Sequence, residues 1–151
     1  KDSVVYSSSL IRKKIEEVNF KNVSSMLGRN WSLKGKVIKG DQRAGKMNFP
    51  TANIMPVKLI KPKKGVYAIK ALYSDNYYNG IANFGVRPTI EGKKLLLEAH
   101  LFEFNENIYS KDLTVEFLTF IREEKKFNDF TSLTKQIQKD IQIVKKYHSN
   151  K

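Results

Sequence analysis

The chain has 151 residues, 40% of them hydrophobic, a formal net charge of +13 and no cysteine. Its length predicts one domain with an appendage, and the missing cysteine excludes disulfides and thiolate metal sites and favours a reducing, cytoplasmic compartment. No apolar run reaches membrane-spanning length and no secretory signal is visible, and Lys1 in place of an initiating Met predicts that the chain is part of a longer protein.

Two short helices are predicted at the start of the chain. Three serines, Ser7 to Ser9, precede an amphipathic run over residues 10–18, a pattern typical of an N-cap followed by a helix. A second helix is expected over residues 22–27, ending at Gly28. Both are interpreted as an annex to the main domain.

A different texture begins at Trp31, where aromatic and β-branched runs alternate with Gly, Pro, Asn and Asp. These runs predict antiparallel strands. A parallel sheet is not expected, because no helical segment separates the strands. A closed or nearly closed barrel is the natural way to hide the strand edges. Asp75-Asn76 is predicted to form a hairpin turn. The predicted strands cover residues 31–39, 65–73, 77–84, 95–104 and 113–121, with a further strand at Thr51–Asn53.

A final helix is predicted near the end of the chain. Its apolar residues are spaced three and four apart from Leu133 to Val144, and either Asp129 or Thr131 could cap it. Its apolar stripe is expected to pack on the barrel.

Thr51 and Asn53 form the first candidate site. In an extended segment these two side chains point to the same face, and Pro50 stiffens the backbone just before them. Two neutral oxygens presented together could bind a hard cation such as Mg²⁺. The alternative is that they only satisfy neighbouring backbone groups.

The segment before this pair, residues 39–48, combines glycines with Arg43 and Lys46. Such a loop could approach phosphate oxygens closely, or it could be an ordinary basic hairpin loop.

Glu98 stands within an apolar strand, so burial would raise its pKa and suit it to accept a proton from a hydroxyl. The alternative for Glu98 is that it faces solvent and pairs with a lysine. The neighbouring His100 is interpreted as a structural residue that makes a local hydrogen bond.

Arg122 and Phe127 lie where the last strand leads into the final helix. A planar guanidinium and an aromatic face could hold a flat heteroaromatic ligand, or the loop could simply be exposed with Phe127 fixing the helix.

In this order, these features resemble the riboflavin kinase family over residues 31–147. The Pro50-Thr51-Ala52-Asn53 strand with a downstream Glu98-Ala99-His100 is the specific part of the resemblance. The segments that match the riboflavin kinase family are Gly40 with the basic loop, Phe49 to Asn53, Gly65 to Tyr67, Asn83 to Thr89, Glu98 to Leu101, Tyr109 and Arg122 to Phe127. Separately, residues 6–12 are similar to the closing motif of the nucleotidyltransferase half of bacterial bifunctional FAD synthases.

The resemblance implies a mainly β fold, a six-stranded antiparallel Greek-key barrel with a C-terminal helix. It implies transfer of the ATP γ-phosphate to the 5′-hydroxyl of riboflavin, with Glu98 as the base and Mg²⁺ held by Thr51 and Asn53. Residues 1–28 would be the tail of a preceding adenylyltransferase domain, residues 29–151 the kinase. That domain's phosphate-binding His motif is absent, so this chain is not expected to adenylate FMN.

The resemblance also implies the remaining site residues. The chain has Ala44 and Asn48 where the family usually has glycine. The implied ATP-binding residues are Gly40, Gly45, Lys46, Thr51, Asn53, Leu101 and Tyr109, and the implied flavin-binding residues are Arg122, Lys125 and Phe127.

A different class of protein remains as the alternative reading. The net charge of +13 would also suit a small basic barrel that binds single-stranded nucleic acid through lysines and exposed aromatics. That reading leaves Thr51, Asn53 and Glu98 without a role. A monomer with small-molecule substrates and no nucleic-acid or membrane partner is expected.

Overall fold

The computed structural model describes residues 7–39, 50–56 and 60–151. In these residues, three helices and six strands follow in an order that confirms the predicted mainly β fold. The elements are α1 (Ser8–Glu16), α2 (Phe20–Leu27), β1 (Ser32–Ile38), β2 (Ala52–Ile54), β3 (Gly65–Tyr73), β4 (Asn76–Thr89), β5 (Gly92–Leu101), β6 (Asp112–Arg122) and α3 (Phe130–Ser149).

The six strands form a closed antiparallel barrel in the order β1-β2-β5-β4-β3-β6. Strands β3, β4 and β5 are neighbours in sequence and in space, and β6 returns to lie beside β3, which is a Greek key. Closure pairs every strand on both sides and so removes the exposed edges that an open sheet would carry. The predicted barrel is thus confirmed.

The β3–β4 hairpin turns at Ser74 and Asp75, one residue before the predicted turn. Both residues have positive φ, 50° and 64°, as a two-residue type I′ hairpin requires, and Asn76 already belongs to β4. Strand β3 pairs with β4 only as far as Phe84. Beyond that point β4 and β5 continue together as a two-stranded hairpin arm, residues 85–96, which the sequence did not predict.

The barrel interior is filled by apolar side chains, and the N-terminal annex contributes to the same core. Phe20 of α2 is 4% exposed, and its ring lies 6.0 Å from Trp31, 5.7 Å from Tyr67 and 5.7 Å from Phe117 between centroids. Ile15 and Val23 of the two helices are also buried in this cluster. The helices therefore pack as a continuation of the barrel core.

Helix α3 begins after Asp129, whose carboxylate accepts a hydrogen bond from the Ser132 amide at 2.7 Å. Of the two predicted caps, Asp129 is the one used. The apolar stripe of α3 packs on the outer face of the barrel, where Ile141 and Val144 meet Val66 of β3 in a second buried cluster. None of the helices within the described ranges is long and apolar enough to cross a membrane.

Candidate active site

A row of directly paired residues crosses five strands of the barrel. Asn53 of β2 pairs with Glu98 of β5, which pairs with Asn83 of β4; Asn83 pairs with Val66 of β3, and Val66 with Arg122 of β6. Side chains alternate along a strand, and the next positions lie in the core, so this row points outward. Those core positions are Ile54, Leu97 and Phe84.

A cavity of about 750 Å³ opens at the β2 end of this row. Thr51 and Asn53 line it together with Leu101 and Tyr109, so four of the residues assigned to ATP by resemblance surround one space. His100 Nδ1 donates a hydrogen bond to the Pro50 carbonyl at 2.9 Å, which connects β5 to the residue before Thr51. His100 thus has the structural bond expected of it.

Glu98 lies beside Asn53 in register, but its carboxylate forms an ion pair with Arg87 of β4. Arg87, on the hairpin arm, places Nε 2.5 Å from Glu98 Oε1, and its Nη1 donates to Glu124 Oε1 at 2.9 Å. Burial alone would lower the pKa of Arg87, but the two carboxylates outweigh it and raise that pKa above its usual value. Arg87 therefore stays protonated and joins the two acidic side chains. Within the residues that the structure describes, the ion-pair partner of Glu98 is Arg87, and the Glu98 side chain is only 21% exposed.

Glu124 reaches Arg87 across Gly85. A Cβ on Gly85 would collide with the Glu124 carboxylate, so this carboxylate can occupy its present place only because Gly85 has no side chain. Sequence reasoning missed Arg87 and Glu124. Arg87 stands in the motif that carried the resemblance, and it shares a strand face with Asn83 and Gly85 by alternation, but its partner is 37 residues away.

Asn83 of β4 pairs with Glu98 of β5 on one side and with Val66 of β3 on the other. Its Oδ1 atom is buried and has no hydrogen-bond partner among the residues that the structure describes. Buried polar atoms in native proteins are usually paired, so each exception calls for an explanation.

Arg122 stands at the far end of the row, and its guanidinium faces α3. Nη2 lies 2.7 Å from Asp140 Oδ2 and Nε lies 3.0 Å from Oδ1, while Gln136 donates to Oδ1 at 2.9 Å. Asp140 is 2% exposed, so this is a buried bidentate ion pair. Of the other flavin-assigned residues, Lys125 is exposed and Phe127 is half-buried, both in the segment after β6.

The loop residues assigned to ATP lie outside the described part of the chain. These are Gly40, Gly45 and Lys46, together with the two departures Ala44 and Asn48. Their roles remain predictions.

The donors near the cavity suit a hard cation that is shared with a ligand. Thr51 and Asn53 line one cavity, and a hydroxyl and an amide oxygen are neutral oxygens of the type that Mg²⁺ accepts. Across residues 7–39, 50–56 and 60–151 no cluster of three His, Cys, Asp or Glu side chains could hold a metal. A cation at Thr51 and Asn53 could also bind oxygens of a phosphate ligand.

Comparison with known proteins shows the family of this chain. The family model described as riboflavin kinase matches residues 27–148, and the chain belongs to that family. It is 41% identical over 99% of its length to a bifunctional riboflavin kinase/FMN adenylyltransferase from Haemophilus influenzae, covering 49% of that protein. The chain spans about half the length of the curated relatives it matches.

Two solved structures share the fold. The crystal structure of a macrolide-efflux protein from Streptococcus pneumoniae matches with a TM-score of 0.81 and 29% identity over 93% of this chain and 46% of that one. The riboflavin kinase of Trypanosoma brucei matches with a TM-score of 0.54 and 23% identity over 77% of this chain and 78% of that one. The second likeness supports the barrel fold alone.

Proposed function

We propose that this chain transfers the γ-phosphoryl group of ATP to the 5′-hydroxyl of riboflavin, giving FMN and ADP. The observation that carries the proposal is the register of Asn53 with Glu98, which puts a carboxylate directly beside the lining of the cavity. A phosphoryl acceptor and its base must stand next to the bound nucleotide, because phosphoryl transfer depends mainly on positioning and charge neutralisation.

The cavity is assigned to ATP. Leu101 and Tyr109 supply apolar and aromatic surface for the base and sugar, while Thr51 and Asn53 supply oxygens where the phosphates would reach β2. Thr51 and Asn53 would also hold Mg²⁺, which when bound neutralises phosphate charge. Gly40, Gly45 and Lys46 are proposed to cover the phosphates.

Glu98 is assigned as the general base. As the riboflavin 5′-oxygen bonds to the γ-phosphorus, the bond from that phosphorus to the β–γ bridging oxygen breaks and ADP leaves. The hydroxyl proton passes to the Glu98 carboxylate. Arg87 fixes the direction in which that carboxylate points, because its guanidinium is itself held by Glu124.

The flavin ring is assigned to the segment after β6. Lys125 and Phe127 offer a cation and an aromatic face there. Arg122 supports this segment through α3, since its guanidinium is occupied by Asp140 and it also donates to the Glu123 carbonyl at 2.8 Å.

We also propose that an FMN adenylyltransferase domain precedes this module in a longer protein, because the relative named above is described as having both activities and the chain covers 49% of it. The FMN made here would then be the substrate of that domain. The kinase module itself is proposed to act as a cytoplasmic monomer.

The first prediction tests the proposed reaction. With riboflavin, ATP and Mg²⁺, chromatography is expected to show FMN, and EDTA is expected to stop its formation. Glu98→Gln is expected to lower kcat by about 10²- to 10⁴-fold, because a general base contributes that much. Riboflavin and MgATP should still bind, because the amide keeps the shape of the side chain.

Glu91→Gln is the matched control, since Glu91 is exposed at the tip of the hairpin arm. It should turn over at the wild-type rate. Near-wild-type turnover of Glu98→Gln would remove Glu98 as the base, and no FMN with any divalent metal would remove the kinase assignment from this chain.

A further inference from the structure

The Asn83 amide oxygen has no explained partner. It is buried on the outer face of the barrel, and no described donor reaches it. An unsatisfied buried acceptor destabilises the fold, so such an atom calls for a partner that binds it. The atom needs a hydrogen-bond donor that the described chain does not provide.

The place of Asn83 in the row suggests where that donor comes from. Asn83 pairs with Glu98 on the side of Glu98 that faces away from Asn53 and the nucleotide cavity. Two residues further along β4, Gly85 meets Glu124 of the segment that carries Lys125. Asn83 therefore lies between the proposed base and the segment assigned to the flavin ring.

A metal is a poor candidate for the partner. Neighbouring strands are about 4.8 Å apart, so Asn53 and Asn83 are separated by roughly 10 Å, and side chains on the outside of a barrel diverge. Two oxygens bound to one Mg²⁺ lie no more than about 4 Å apart. Asn83 is too far from Asn53 to share its cation.

The proposed placement of riboflavin brings hydrogen-bond donors to this position. When the 5′-hydroxyl of riboflavin is at Glu98 and the ring is at the segment after β6, the polyhydroxylated ribityl chain must pass between them. Each of its hydroxyl groups can donate one hydrogen bond. We infer that Asn83 Oδ1 accepts a hydrogen bond from a ribityl hydroxyl next to the one that is phosphorylated. This inference rests on the proposed function.

The test compares two flavins with and without the ribityl chain. Riboflavin and lumiflavin share the ring system, but lumiflavin has a methyl group in place of the ribityl chain. Affinities for both are measured by flavin fluorescence in the presence of MgADP, with the wild-type chain, Asn83→Ala and Asn79→Ala. Asn79 is the matched control, because it lies on the same strand and face but is exposed.

Asn83→Ala is expected to weaken riboflavin about three- to tenfold, the loss of one hydrogen bond, and to leave lumiflavin unchanged. Asn79→Ala should change neither. The thermal midpoint of Asn83→Ala should equal or exceed that of wild type, because the lost oxygen makes no bond in the free protein. Asn83→Leu, similar in size but without an acceptor, should weaken riboflavin in the same way.

Equal effects on both flavins, no effect on riboflavin, or a clear loss of stability in both variants would overturn the inference. Failure of the proposed function gives a different result, since the wild-type chain would then bind neither flavin. The two failures are therefore distinguishable in one set of titrations.

Discussion

Gly85 shows at the scale of one residue how the backbone shapes the proposed catalytic carboxylate. It contacts no substrate, yet its missing side chain is what lets Glu124 reach Arg87. Arg87 in turn holds Glu98. A position without side-chain chemistry can thus control the direction of the proposed base through two ion pairs.

Gly85→Ala is expected to lower kcat by about tenfold or more, because small displacements of a reacting group carry large kinetic costs. The atoms in the way are the end of a flexible glutamate side chain, so the free energy of unfolding should change little. Steady-state kinetics and urea unfolding separate the two effects.

A double-mutant cycle with Glu124→Ala checks the route. If Gly85 acts through Glu124, then Gly85→Ala should add almost nothing to the loss already caused by Glu124→Ala. Fully additive losses would show that Gly85 acts by another path.

At the scale of the elements, helix α3 depends on a charge as well as on its apolar stripe. Ile141 and Val144 pack on the sheet, and between that stripe and β6 lies the Arg122–Asp140 pair. The resemblance assigned Arg122 to the flavin, and the structure places its guanidinium on Asp140. The ion pair makes a structural contribution from Arg122 measurable.

Arg122→Leu is expected to destabilise the protein by about 3–5 kcal/mol, because Asp140 would keep a buried and unpaired charge. The double variant Arg122→Leu/Asp140→Leu should recover much of that loss. Urea unfolding measures both, with the exposed Lys125→Ala as control. An unchanged unfolding midpoint together with a raised KM for riboflavin would assign the guanidinium to the flavin instead.

Sequence patterns were informative where neighbours along the chain decide the structure. Period-two alternation predicted the strands, and Ser7, Gly28 and Asp129 mark helix ends as expected. The hairpin arm was not predicted because it includes Arg87 and Pro88, and a charged residue followed by a proline is not typical of a strand. The ion pairs could not be read at all, since Arg122 and Asp140 are 18 residues apart and meet only in the folded chain.

At the scale of the whole molecule, the N-terminal helices and the barrel share one core. Phe20 is 4% exposed and touches three aromatic rings of the barrel. The predicted boundary after residue 28 therefore crosses a packed aromatic cluster. Helices α1 and α2 therefore contribute to the stability of this fold.

Phe20→Ala is expected to lower the free energy of unfolding by about 3–5 kcal/mol, the usual cost of emptying a buried aromatic site. Phe130→Ala is the matched control, because Phe130 is 55% exposed at the start of α3. Guanidinium unfolding compares the two. Equal, small losses would mean that α1 and α2 are dispensable to the barrel.

The strand pairing from β2 to β6, which shifts register beside Val66 in the β3–β6 pair, also has a consequence for substrate choice. Because hydrogen-bonded strands keep a fixed spacing, the sheet sets the separation between phosphoryl donor and flavin ring. If the chain has the proposed activity, it would select acceptors by the length of their side chain. A flavin whose polyol is one carbon shorter would occupy the proposed ring site, but its terminal alcohol would not reach the phosphoryl group. Such a compound would be an inhibitor and not a substrate.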